Sequence, residues 1–142
     1  MIQISNAIEI NRPVSHVFEY IADVNNNPKW MPVTGVQPIS QGSVTNGYKF
    51  KQQFYMMGRT YNLDGVITHF DPGTKIAFSY DSSVFTWRGE YDFQPSATGT
   101  LVSAQGKVHL TGSLKMMEPM FAPKIRKLIH DTAPNLKKIL ES

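Results

Sequence analysis

Residues 84–93 read Val84-Phe85-Thr86-Trp87-Arg88-Gly89-Glu90-Tyr91-Asp92-Phe93. Every second position forms one set: Phe85, Trp87, Gly89, Tyr91 and Phe93. The other set is Val84, Thr86, Arg88, Glu90 and Asp92. A strand sends successive side chains to opposite faces, so this stretch predicts a strand with an aromatic inner face and a charged outer one. The same alternation continues on both sides. It turns Phe50, Gln52, Phe54 and Met56 inward on a strand over 48–57, and Ile76, Phe78 and Tyr80 on one over 75–80. Over 100–110 the inward set is Val102, Ala104, Gly106, Val108 and Leu110. Tyr61 and Leu63 join from a strand over 61–70. Runs over 2–10 and 33–40 bring the total to seven. Asn46-Gly47 and Asp71-Pro72-Gly73 are turn signals between them.

Helical spacing occurs at two places. After Pro13, a residue suited to a first helical turn, come Val14, Val17, Phe18 and Ile21. A shorter helix holds Pro28, Lys29 and Trp30 and stops at Pro32. Near the end of the sequence, Phe121, Ile125, Leu128, Ile129, Thr132, Leu136, Ile139 and Leu140 recur at three- and four-residue steps. That long helix starts between 118 and 123, and Pro134 predicts a kink near 130–134. The class is therefore α+β. A seven-stranded antiparallel sheet and one long amphipathic helix must each bury one face, so the sheet has to curl around the helix.

The chain has 142 residues, which predicts one domain over 1–142. It has no cysteine, which excludes a disulfide scaffold, thiolate metal sites and cysteine nucleophiles. No run of about 18 apolar residues exists to span a membrane. Nothing near Met1 reads as a signal peptide, so a cytoplasmic location is expected. The formal charge is +3. Residues 113–142 hold six basic and three acidic side chains, so this excess equals that of the terminal helix region.

The order of elements resembles the helix-grip fold of the START-domain and birch-pollen-allergen superfamily. The chain is similar to its polyketide cyclase/dehydrase-like (SRPBCC) branch. The residues that carry the resemblance are Ile8-Glu9-Ile10 before Arg12-Pro13, Val17-Phe18 with Tyr20-Ile21-Ala22-Asp23, and Pro28-Lys29-Trp30. Gly47-Tyr48-Lys49-Phe50, Phe70-Asp71-Pro72, Gly99-Thr100 and Leu136-Lys137-Lys138-Ile139-Leu140-Glu141 complete it. The resemblance covers the whole chain. It implies a curved seven-stranded sheet gripping the long helix, with two short helices after strand one. Members of that superfamily include ligand carriers, cyclases and co-chaperones, so fold alone does not choose among these functions.

The inner face supplies the candidate ligand contacts: Phe50, Gln52, Phe54, Tyr61, Phe78, Tyr80, Phe85, Trp87 and Tyr91. Met117 and Phe121 join them where the last strand hands over to the helix, a position suited to a gate. Tyr and Trp have polar tips that need partners when buried, and a buried Gln52 amide needs them as well. Candidate acid–base groups are Asp23, His69, Glu90 and Tyr80, of which Glu90 falls on the outward set. The four histidines lack metal-ligand spacing, so no metal site is expected, although His69 and His109 could approach each other. No phosphate loop, nucleophile elbow or dinucleotide motif occurs, so no cofactor is expected. The leading expectation is an enclosed apolar pocket of several hundred cubic ångströms for a small hydrophobic or aromatic ligand: a lipid, an isoprenoid or a polyketide-like compound. The alternatives are a cyclase, dehydratase or isomerase using the same cavity, and a co-chaperone-like module or one that binds acidic surfaces. No nucleic-acid partner and no stable membrane insertion are expected, and the chain reads as a monomer or homodimer.

Overall fold

A computed structural model describes residues 1–142. Its seven strands form one antiparallel sheet in the order β1-β7-β6-β5-β4-β3-β2. They are β1 (Ile2–Ile10), β2 (Val33–Pro38), β3 (Lys49–Met56), β4 (Arg59–Asp71), β5 (Lys75–Asp81), β6 (Phe85–Pro95) and β7 (Thr100–Leu110). From β2 to β7 every strand pairs with its neighbour in sequence. The exception is β1, which pairs with β7 from Ile2↔Val108 to Ile10↔Thr100. The chain therefore crosses from one sheet edge to the other between β1 and β2. The crossing is made by α1 (Val14–Ala22), a 3-10 turn (Val24–Asn26) and α2 (Asn27–Trp30).

Beyond β7, a second 3-10 turn (Gly112–Met117) leads into α3 (Glu118–His130) and α4 (Thr132–Glu141). Both helices pack on β1, and α2 packs on α4. The expected kink is a break. Asp131 sits at φ −70° and ψ −12°, between two helical segments. Pro134 is the third residue of the second segment. First-turn amides have no intrahelical acceptor, so a proline costs little there but would cost much inside one continuous helix.

The alternation read from the sequence appears in the burial. On β3, Phe50, Gln52, Phe54 and Met56 are buried while Lys49, Lys51, Gln53 and Tyr55 are exposed. Three inward positions are glycines, and each has a ring lying over it. A Cβ on Gly65 would stand 2.6 Å from Cζ of Phe50, and one on Gly89 the same distance from Cζ of Phe78. One on Gly106 would be 3.1 Å from Nε1 of Trp87. Gly89 and Gly106 face each other across β6 and β7. The aromatic layer thus lies down on a glycine floor, which lets large rings fit a tightly curved sheet.

Candidate ligand cavity

Between this floor and the helices lie four small voids. One of about 20 Å³ is lined by Gln52, Phe54, Phe78, Tyr80, Trp87 and Tyr91 and capped by Met31, Ile129 and Thr132. A second, also about 20 Å³, reaches Ile21, Val24 and Asn27. A third of the same size runs under Ile4 and Ile129. The last, about 10 Å³, is wholly apolar and lies between Met56, Phe85, Leu110 and Ile125. Each is the size of a single water molecule. The expected open pocket of several hundred cubic ångströms is therefore absent from this conformation, because the aromatic side chains fill the space the sheet encloses. Phe78 and Tyr91 border the first three voids, and Trp87 borders the first, third and fourth. These rings are the partitions of one divided space. The widest concavity of the molecule, about 910 Å³, lies outside the sheet, over polar residues such as Gln3, Ser5, Arg88 and Lys107. It is an open saddle lined mostly by polar residues, with Ile4, Ala77 and Phe78 among them.

Buried polar groups lie within the aromatic interior. Asn27 and Gln52 are each 3% exposed, and Asn27 Nδ2 donates to Gln52 Oε1 at 2.8 Å. With its oxygen engaged, the Gln52 amide has its two N–H donors left. Burial raises the Tyr80 pKa far above the ordinary tyrosine value, and a hydrogen bond with Gln52 offsets part of that rise. Gln52 and Tyr80 border the same void. The buried polar groups therefore run from Asn27 to Gln52, with the Tyr80 hydroxyl beside them at the same void. Tyr91 is raised further still, by burial first and by Tyr80 second. Both phenols stay neutral and able to donate. Thr132, at the helix break, spends its hydroxyl on the Ile129 carbonyl at 2.6 Å.

Asn27 is absent from the candidates read in sequence, where Asn25-Asn26-Asn27-Pro28 reads only as the end of α1. A signal was available: Ile21, Val24, Asn27 and Trp30 recur at three-residue steps, and all four are buried. Trp30 wedges against Tyr91, ring centroids 6.1 Å apart, and its Nε1 has no partner.

The remaining candidates are scattered. Phe50 is fully buried beneath Tyr80 at 5.8 Å, and Tyr61 stacks edge-on against Phe85 at 5.6 Å; neither borders these voids. Phe121 is half-buried against the core, and Met117 stands in solvent, 38% exposed, outside the interior. Asp23 is exposed and caps the 3-10 turn through the Asn25 amide. His69 is exposed at a register shift in β4. Strands β5 and β6 separate β4 from β7, so His69 and His109 are not neighbours. Glu90 points to the outer face, 3.3 Å from Lys75 Nζ, which also holds Asp92 at 3.3 Å. Asp23 and His69 lie outside, Glu90 borders the third void while its carboxylate pairs with Lys75, and of the acid–base candidates Tyr80 alone is buried in the interior.

Residues 1–141 match the family described as "Polyketide cyclase / dehydrase and lipid transport". The chain belongs to that family. No curated protein matches the sequence. Among solved structures, this family member is similar to a START superfamily protein from Mycobacterium smegmatis, with a TM-score of 0.84 at 13% identity, covering 99% of this chain and 98% of the other. TTHA0849 from Thermus thermophilus gives 0.82 at 14% identity over 97% and 96%. The di-domain ARO/CYC BexL from the BE-7585A biosynthetic pathway gives 0.77 at 15% identity, over 99% of this chain and 50% of that one. At these identities the likeness establishes the helix-grip fold. In this family member no helix is long and apolar enough to cross a membrane.

Proposed function

We propose that the chain binds a small hydrophobic or aromatic molecule that carries a neutral hydrogen-bond acceptor, such as a ketone or quinone oxygen. The observation that carries this reading is the buried Asn27–Gln52 hydrogen bond beside the Tyr80 phenol inside an aromatic enclosure. A purely structural interior has no need of a buried Asn–Gln–Tyr series, because each buried polar group must be matched to avoid a desolvation penalty. Neutral donors among rings favour a carbonyl on a planar body over a carboxylate, which would enter without a cationic partner. Room for the ligand comes from rotation of Phe78 and Trp87, the rings that divide the voids. The family description, with its cyclases and lipid transport, supports a ligand-holding role. A cyclase or dehydratase would find a neutral phenol donor in Tyr80 but no carboxylate or imidazole base inside, because Asp23 and His69 lie outside and Glu90 is paired with Lys75.

The test uses the intact chain. Native mass spectrometry of purified protein should show a co-purifying small molecule. Titration with 1-tetralone, followed by Trp fluorescence, should show tighter binding than with tetralin, which has the same rings without the oxygen. Tyr80→Phe should abolish that preference and leave tetralin binding unchanged. Equal affinity for both compounds in the parent protein would refute the acceptor site.

A further inference from the structure

Four methionines stand in solvent at one end of the molecule. Met116 is 90% exposed, Met120 57%, Met57 40% and Met117 38%. Met57 occupies the tight β3–β4 turn with Gly58, both at positive φ (49° and 79°). The other three lie in the segment that leaves β7 and begins α3. The two places share one end of the fold, because Met56, Leu110 and Ile125, which adjoin them, border a common void. In the same segment Leu114 and Phe121 turn inward against the core. The segment is thus folded with its methionines outward.

The charge at this end is one-sided. Arg59, Lys115 and Lys124 are exposed there, and none makes an ion pair. The one acidic side chain between Gly112 and Lys124 is Glu118, which is engaged by the Met1 amine. Single exposed apolar residues are ordinary, but a cluster among same-sign charges marks an interaction surface. The methionines project from a turn and a helix start. Flexible thioethers beside unpaired cations match a fluid, negatively charged surface.

We propose that this end docks reversibly on an anionic lipid bilayer. The four methionines enter the boundary between headgroups and acyl chains, and Arg59, Lys115 and Lys124 meet the lipid phosphates. Neither signal suffices alone, because weak apolar insertion and surface charge must act together for measurable attachment.

Co-sedimentation of the intact chain with vesicles tests this. Binding is expected to equimolar phosphatidylcholine/phosphatidylglycerol vesicles and not to pure phosphatidylcholine, and it should weaken as salt rises. Lys115→Gln with Lys124→Gln should lower the affinity about fivefold per lysine. Met116→Ser with Met120→Ser should lower it by a similar factor with unchanged circular dichroism, since both side chains are already in solvent. Lys49→Gln with Lys51→Gln, on the outer face of β3, should leave binding unchanged. No binding to the anionic vesicles at low salt would overturn the proposal, as would equal loss from the β3 pair. A methionine variant that dissolves a dimer while vesicle binding persists would assign the surface to a second copy of the chain instead.

Discussion

Beneath α1, Phe18 meets Phe70 at 5.4 Å and Phe93 at 5.0 Å, both edge-on, with Val17 and Ile10 fully buried beside them. Beneath α3 and α4, Phe78, Tyr80, Trp87 and Tyr91 meet at 4.9 to 6.3 Å and leave a string of voids. Both regions are aromatic, and they differ in what covers them. The apolar face of α1 sends Val17, Phe18 and Ile21 straight into the sheet. Gly99 lets the β6–β7 turn approach the backbone of Ile10 and Arg12. The middle is roofed by a broken helix and contains phenols and amides that cannot interdigitate like hydrocarbon. Three of the four voids thus touch α3, and the other reaches the α1 side at Ile21.

Substitutions can break or sharpen this contrast. Phe18→Ala should cost the most, about 3–5 kcal/mol, because a rigid surround leaves a cavity behind. Urea unfolding would measure it, and a loss under about 1.5 kcal/mol would show that the α1 end is not close-packed. A matched pair of glycines comes next. On Gly99 a Cβ would meet the Ile10 carbonyl oxygen at 2.3 Å, which only backbone movement can relieve. On Gly89 it would meet the Phe78 ring, which can turn. Gly99→Ala should therefore destabilise by about 3 kcal/mol and Gly89→Ala by only about 1 kcal/mol. Equal effects would mean that the Phe78 ring is as fixed as backbone.

Gln52→Leu strands the Asn27 amide without its acceptor and should cost about 1–3 kcal/mol. Asn27→Leu combined with it should recover part of the loss, and thermal unfolding of the single and double variants would show whether the two residues are coupled.

The smallest effect concerns pH. Tyr80 and Tyr91 have folded-state pKa values raised above their unfolded value near 10. The unfolded chain then binds fewer protons than the folded one above a pH of about 10. Stability is fully present below that pH and falls as pH rises beyond it. Ultraviolet absorbance of the phenolate should show these two phenols ionising only with unfolding, and Tyr91→Phe should shift the alkaline unfolding midpoint upward. Titration of every tyrosine without loss of structure would contradict the burial.

Alternation and helical spacing determined much of this protein. Seven strands, their inward sets, the two short helices and the interruption near Pro134 all follow from periods of about two and 3.6 residues and from proline chemistry, which act over short stretches of chain. The aromatic inner face was legible for the same reason. Tertiary structure alone decided the rest. It set β1 beside β7 and laid Phe78 and Trp87 over Gly89 and Gly106. It also joined Asn27 to Gln52 across 25 positions, and turned Met117 outward while Phe121 turned in. Those outcomes depend on which surfaces meet after the sheet curls, and curvature depends on how rings, glycines and helix faces share one volume. A residue's own spacing shows which way its side chain points. Whether the space it points into is full depends on every side chain that points there.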